Sequence, residues 1–254
     1  MKIDGAVAIV TGGASGLGEA TARYLAAKGA RVGVLDYNID RARAVAGDID
    51  GIAVQLDVTD EASVKDAVSK VQGHFDNAPR IAVNCAGIAN AARIVGREGK
   101  TSVDTFRKVI EVNLFGTYNV MTHAAAAMMD SDPDAGGERG VIVNTSSAAF
   151  EDGQIGQSAY AASKGAIAAM CLPAAREMAR SGIRVMAIAP GLFGTPMMQA
   201  LPPETTAAIT ANIPFPDRLG APSEFGQMVA DIVQNPYLNG TTIRLDGAVR
   251  LPPK

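Results

Sequence analysis

Seven runs of four to six mostly apolar residues recur along the chain, at 6–10, 31–35, 52–56, 81–84, 141–145, 184–189 and 241–245. Helical patterns stand between the first six, at 16–28, 39–46, 61–75, 101–129 (with a break) and 158–181. The runs do not alternate apolar with polar residues, as a half-exposed strand does. A strand that is apolar at every position needs cover on both faces, and parallel sheets with helices above and below supply it. The strand–helix alternation therefore predicts an α/β fold: a doubly wound parallel sheet of about seven strands with helices on both faces. With 254 residues, no break in composition and no internal repeat, the chain reads as one domain, 1–254.

Two stretches fall outside the pattern. Residues 130–139 (DSDPDAGGER) are acidic and rich in turn formers, which predicts a surface loop. Residues 191–216 carry five prolines between the sixth and seventh strands. A long segment at that edge is expected to be a binding loop or lid on the substrate side.

Charge and cysteine usage exclude several classes. Formal net charge is −3, with 23 basic against 26 acidic residues and no basic block, so no nucleic-acid partner is expected. No apolar run is long enough to span a bilayer. The sequence enters its first strand soon after Met1, without a recognisable signal or transit pattern, and a cytoplasmic location is expected. Cys85 and Cys171 both lie in apolar surroundings and read as reduced core thiols. No His/Cys pair has metal-ligand spacing, so no metal is expected.

The first run leads into Thr11-Gly-Gly-Ala-Ser-Gly-Leu-Gly18. Glycines 12, 16 and 18 suit a strand-to-helix turn whose backbone approaches a pyrophosphate at the helix N-terminus. A tight turn without any ligand is the competing reading of this stretch alone. Asp36 ends the second run, where a carboxylate reaches adenosine ribose hydroxyls. That carboxylate repels a 2′-phosphate, which favours NAD over NADP; a helix cap is the alternative. Asp57 and Val58 follow the third run, and Asn84-Cys85-Ala86-Gly87 closes the fourth. All sit at the carboxyl ends of strands, where open parallel sheets bind ligands.

Tyr160 and Lys164 are one helical turn apart and share a face. An ammonium beside a phenol stabilises phenolate, lowering a pKa ordinarily near 10 and enabling proton exchange with an alcohol or carbonyl oxygen. Ser147, just after the fifth run, is placed to hydrogen-bond the same oxygen. Asn113 can bend its helix and hold a water behind Lys164. Met197 and Met198 read as packing or as a flexible wall for acyl chains. A hydrolase triad has little support: the only histidines are His74 and His123, and no G-x-S-x-G elbow is present.

Together, TGGASGLG (11–18), LDVTD (56–60), NCAG (84–87), VNLFGT (112–117), NTSS (144–147), YAASK (160–164) and APG (189–191) resemble the short-chain dehydrogenase/reductase family across essentially the whole chain. The resemblance implies a Rossmann-type sheet, a nicotinamide cofactor and a catalytic tetrad of Asn113, Ser147, Tyr160 and Lys164. It implies cofactor contacts from Gly12, Ser15, Gly16, Leu17, Gly18, Asp36, Asp57, Val58, Asn84, Cys85, Ala86, Gly87, Tyr160, Lys164, Pro190, Gly191, Phe193 and Thr195. Substrate contacts are implied for Ser147, Gln157 and Tyr160. Longer stretches, including FEDGQIGQSAYAASK and IRVMAIAPGLFGTPMM, resemble the group of short-chain 3-hydroxyacyl-CoA dehydrogenases and mitochondrial 17β-hydroxysteroid dehydrogenases. Pro173, expected to kink the long helix, fits that group too. The group implies NAD-dependent oxidation of a 3-hydroxyacyl-CoA and a homotetramer. A steroid or secondary-alcohol dehydrogenase, a 3-ketoacyl-carrier-protein reductase and a non-catalytic interaction scaffold are the alternatives.

Overall fold

The computed structural model describes residues 1–199, 204, 206 and 210–253. Part of the expected lid, residues 200–203, 205 and 207–209, lies outside the described residues. The strands are β1 (Val7–Thr11), β2 (Arg31–Asp36), β3 (Ile52–Gln55), β4 (Ile81–Asn84), β5 (Gly140–Thr145), β6 (Ile183–Pro190) and β7 (Thr242–Leu245). They form one sheet in the order β3-β2-β1-β4-β5-β6-β7, and every pairing is parallel. The order reverses between β1 and β4, which opens a crevice at the carboxyl ends of these strands.

Helices α1 (Gly16–Ala27), α2 (Ile39–Asp48), α3 (Glu61–Phe75), α4 (Val103–Ile110), α5 (Gly116–Met129), α6 (Ser158–Met178), α7 (Pro196–Gln199) and α8 (Pro222–Gln234) complete the described framework. The uniformly apolar strands do face two cores. Ala8 and Val10 of β1 pack with α1, α2 and α8; Val7 and Ile9 of the same strand pack with α3, α5 and α6. The central strands thus bury alternate side chains in opposite layers, which is why they show no polar alternation in the sequence, while the edge strands β3 and β7 are only partly buried.

Three local details add to the expected pattern. Helix α8 has no counterpart in the sequence reading, although Phe225, Val229, Ile232 and Val233 have helical spacing and are buried against α1. The 101–129 stretch resolves into α4, a wide π turn at Glu111–Phe115 and α5, so its break is an extra residue in the turn. Helix α6 continues through Pro173 from Ser158 to Met178. No described helix is long and apolar enough to cross a membrane.

Candidate active site

The glycine-rich turn is dictated by sterics. Gly12 and Gly16 adopt left-handed backbone, with φ of 61° and 55°. A Cβ on Gly12 would lie 2.8 Å from the Ala86 nitrogen, and one on Gly18 would lie 2.2 Å from the Gly12 carbonyl oxygen. Ser15 caps α1 without a side-chain hydrogen bond, so among the described residues the first-turn N–H groups of this helix have no side-chain acceptor. The turn is fastened on both sides. The Ala14 N–H donates to Asp36 Oδ2 (3.1 Å), and the Ala86 N–H donates to Thr11 Oγ1 (3.2 Å).

These residues form one side of a cleft of ≈ 1180 Å³ along the strand ends. Gly12, Ser15, Gly16, Leu17, Gly18, Asp36, Asp57, Val58, Cys85, Ala86 and Gly87 all line it, as expected from the sequence. So do Ser147, Tyr160, Lys164, Pro190, Gly191, Phe193 and Thr195. An exposed helix N-terminus, glycines that admit close approach and a carboxylate at the end of β2 fit an adenine dinucleotide. Asp57 has a second use: its Oδ1 accepts from the N–H and hydroxyl of Thr59 at 2.9 and 2.7 Å, closing the turn after β3.

Three expected residues stand behind the wall rather than in it. Asn84 is buried and donates from Nδ2 to Asn144 Oδ1 (2.8 Å), bridging β4 and β5. Asn113 sits in the π turn; its Oδ1 accepts from the Ile88 N–H (2.8 Å), and its Nδ2 donates to the Ile88 carbonyl (3.0 Å) and Ser163 Oγ (3.1 Å). A Cβ on Gly87 would fall 3.1 Å from Asn113 Oδ1 and 3.7 Å from Lys164 Nζ, so these groups are neighbours although Asn113 bonds Ile88 and Ser163. Gln157 precedes α6 and donates to Gln154 Oε1 (3.4 Å); it does not line the cleft. The family resemblance made it a candidate; its side chain turns along the preceding loop.

The opposite wall holds Ser147, Tyr160 and Lys164. Ser147 caps the short turn after β5, its Oγ accepting from the Ala149 N–H (3.2 Å). Burial raises the Tyr160 pKa, and a hydrogen bond with Ser147 pulls it partly back. The net direction is upward, and Lys164, which the sequence reading expects to lower this pKa, is not among the causes. Lys164 Nζ donates instead to the Thr145 carbonyl (2.7 Å) and lies 5.7 Å from the centroid of the Tyr160 ring. Burial also pushes the Lys164 ammonium down to about 8, with Cys85 acting weakly against it. Cys85 itself is held protonated, its thiol pushed up to about 11 by burial.

Several cleft residues escaped the sequence reading: Ile88, Ala89, Val112, Thr145, Ser146 and Leu192. Most flank recognised motifs, so adjacency was the available signal. Met198 lines the cleft, and the side chain of Met197 lies outside the described residues. His74 packs edge-on against Phe75 and His123 meets Glu61 at 3.3 Å; neither reaches the cleft.

The sequence pattern described as short chain dehydrogenase matches residues 6–206. The chain belongs to the short-chain dehydrogenase family. It is an oxidoreductase acting on CH–OH donors. A human 3-hydroxyacyl-CoA dehydrogenase type-2 is 47% identical over 256 residues, covering 99% of this chain and 98% of that protein. A human (3R)-3-hydroxyacyl-CoA dehydrogenase is 34% identical, with 98% of this chain and 97% of that protein covered. The crystal structure of a 3-hydroxyacyl-CoA dehydrogenase type-2 from Mycobacterium avium superposes with a TM-score of 0.94 at 43% identity, covering 98% of both chains. The seven-stranded sheet and its helices are thus the Rossmann-like framework of this dehydrogenase family.

Proposed function

We propose that this protein interconverts a 3-hydroxyacyl-CoA and a 3-ketoacyl-CoA with NAD. The observation that carries the reading is the convergence of Ser147, Tyr160 and Lys164 on one wall of a cleft whose other side is the glycine-rich turn and Asp36. The names of the 47% and 34% identical relatives support the acyl-CoA substrate class.

NAD, when bound, supplies the acceptor for the hydride leaving C3 of the substrate. The chain's own residues do the rest. The first turn of α1, with Ser15, Gly16 and Leu17, holds the pyrophosphate. Asp36 holds the adenosine ribose and repels a 2′-phosphate. Asp57 and Val58 border the adenine. The backbone of Cys85, Ala86 and Gly87, with Pro190, Gly191, Phe193 and Thr195, borders the nicotinamide half. Ser147 donates a hydrogen bond to the reacting oxygen. Tyr160 removes the hydroxyl proton in oxidation and returns it in reduction. Lys164, its ammonium held on the Thr145 carbonyl 5.7 Å from the Tyr160 ring centroid, keeps a cation beside the proton-transfer site and contacts the nicotinamide ribose. Asn113, buried beside Gly87 and Lys164, shapes the route by which the proton reaches solvent. Met198 borders the acyl side.

The apolar residues exposed on α4, the π turn and α5 support a homotetramer: Val103, Phe106, Phe115, Tyr118 and Met129 all face outward. Initial rates with acetoacetyl-CoA, comparing NADH and NADPH, test the reading. Fast NADH oxidation with little NADPH use is expected. Absence of turnover with bound NADH rules out this substrate class, and equal use of NADPH rules out the role given to Asp36.

A further inference from the structure

Arg244, on the edge strand β7, does not line the cleft, yet it ties together three segments that do or that flank it. Its Nη1 donates to Glu151 Oε2 (2.6 Å), its Nη2 to Asp152 Oδ2 (2.7 Å) and to the Val249 carbonyl (3.2 Å), and its Nε to Asp246 Oδ2 (2.7 Å). The Arg244, Asp152 and Asp246 side chains are only 17%, 11% and 8% exposed, so the bonds to the two aspartates are poorly screened by water, while the Glu151 partner is 53% exposed.

The first segment joins Ser147 to Tyr160. The turn capped by Ser147 ends at Glu151 and Asp152, whose N–H groups donate to the Ala148 carbonyl at 3.2 and 3.0 Å. The loop then runs to α6. The second segment is the end of β6. A Cβ on Gly191 would lie 2.6 Å from the Asp246 Cβ, and the Gly191 N–H donates to the Leu245 carbonyl (2.9 Å). The third is the C-terminal tail. The Pro252 carbonyl accepts from Gln154 Nε2 and the Pro253 carbonyl from the Ile155 N–H, both at 3.0 Å. The Leu251 N–H reaches Asp152 Oδ2 at 3.4 Å. The returning end of the lid also rests here: a Cβ on Gly247 would meet Ile213 Cγ2 at 2.9 Å.

We propose that Arg244 is a positioning residue: its guanidinium clamps the 151–157 loop against β7 and the C-terminal tail, and so sets the spacing between Ser147 and Tyr160. Three carboxylates converge on this one fork, and Arg250 meets only Asp246 (Nη1–Oδ2 3.3 Å), so removing the Arg244 charge leaves Glu151 and Asp152 beside each other without their cation. The loop then moves away from β7 while the glycine-rich turn, on the other side of the sheet order, keeps its geometry. The catalytic consequence rests on the function proposed above; the clamp itself does not.

The test compares wild type, Arg244→Gln, Arg244→Lys and Asp152→Asn with acetoacetyl-CoA and NADH, alongside hydrogen exchange. Arg244→Gln is expected to lower kcat about 10- to 100-fold, the scale of misplacing reacting groups, with the Kd for NADH within twofold. Arg244→Lys keeps the charge without the planar fork and should recover part of the loss. Asp152→Asn should add little to Arg244→Gln when combined with it, because both break one network. Amide exchange should rise at 147–160 in Arg244→Gln and stay unchanged at 11–18. Unchanged exchange at 147–160, or an equal loss of NADH binding and kcat, overturns the proposal. If wild type fails to turn over acetoacetyl-CoA, the substrate reading falls, and the exchange pattern still decides the clamp.

Discussion

Lys164→Met should stabilise the protein while removing its turnover. Lys164 is 5% exposed, and burial pushes its ammonium from an ordinary 10.5 down to about 8. At ~1.4 kcal/mol per pH unit of displacement, keeping the group charged at pH 7 costs about 3 kcal/mol. Methionine fills similar space without charge. The exchange also deletes the hydrogen bond from Nζ to the Thr145 carbonyl, about 1.5 kcal/mol for a charged donor. The net expectation is a gain of ~1–2 kcal/mol at pH 7, or ~2–8 °C in Tm for a domain of this size. The sign is pH-dependent. Below about pH 8 the lysine is charged both folded and unfolded, and the whole penalty applies. Between about 8 and 10.5 the unfolded chain binds the proton and the folded one does not, so wild type gains stability as pH rises. Cys85 and Cys171, both pushed up to about 11, stay protonated in the folded state below pH 10 in either protein and drop out of the difference. Urea unfolding followed by far-UV circular dichroism at pH 7, 8, 9 and 10 measures this difference. The variant should be more stable at pH 7, lose that advantage near pH 9 and fall ~1 kcal/mol below wild type by pH 10, with turnover below ~1% throughout. A variant less stable at pH 7, or a difference that does not change with pH, refutes the reasoning.

Tyr160→Phe should lower kcat by ~10²-fold or more while NADH binding, read by fluorescence, persists; near-normal turnover removes Tyr160 from the proton path. Asp36→Ala combined with Tyr37→Arg should move cofactor preference toward NADPH, measured as the ratio of kcat/KM values, because a repelling carboxylate gives way to a phosphate-pairing cation; an unchanged ratio sinks the role of Asp36. Iodoacetamide at pH 8 should leave activity intact, since burial pushes both thiols up to about 11; rapid inactivation together with labelling of Cys85 contradicts its protonated state.

Much of the fold was legible because its signals are local. Helix α3 and strand β4 run from Glu61 to Phe75 and from Ile81 to Asn84, the bounds that apolar spacing predicts. Helix α8 is hard to read although Phe225 and Val229 are spaced for it, because Pro222 and Gly226 are residues that ordinarily interrupt a helical pattern. In the candidate site, glycines 12, 16 and 18 were readable from the turn they permit. Gln157 was not, because its side-chain direction depends on Gln154 and on a tail almost a hundred residues away.

The sequence alone determined the layer architecture, the position of the glycine turn and the identity of the groups on the Tyr160 helix. Apolar period, left-handed backbone and side-chain chemistry are properties of neighbouring residues, so they survive reading one residue at a time. Only the tertiary structure decided what those groups do to one another. Lys164 turns to the Thr145 carbonyl, Tyr160 is shifted up rather than down, and Arg244 reaches Glu151 and Asp152 from the far edge of the sheet. Burial sets the first two and long-range strand order sets the third. Both arise when distant segments exclude water from the same place.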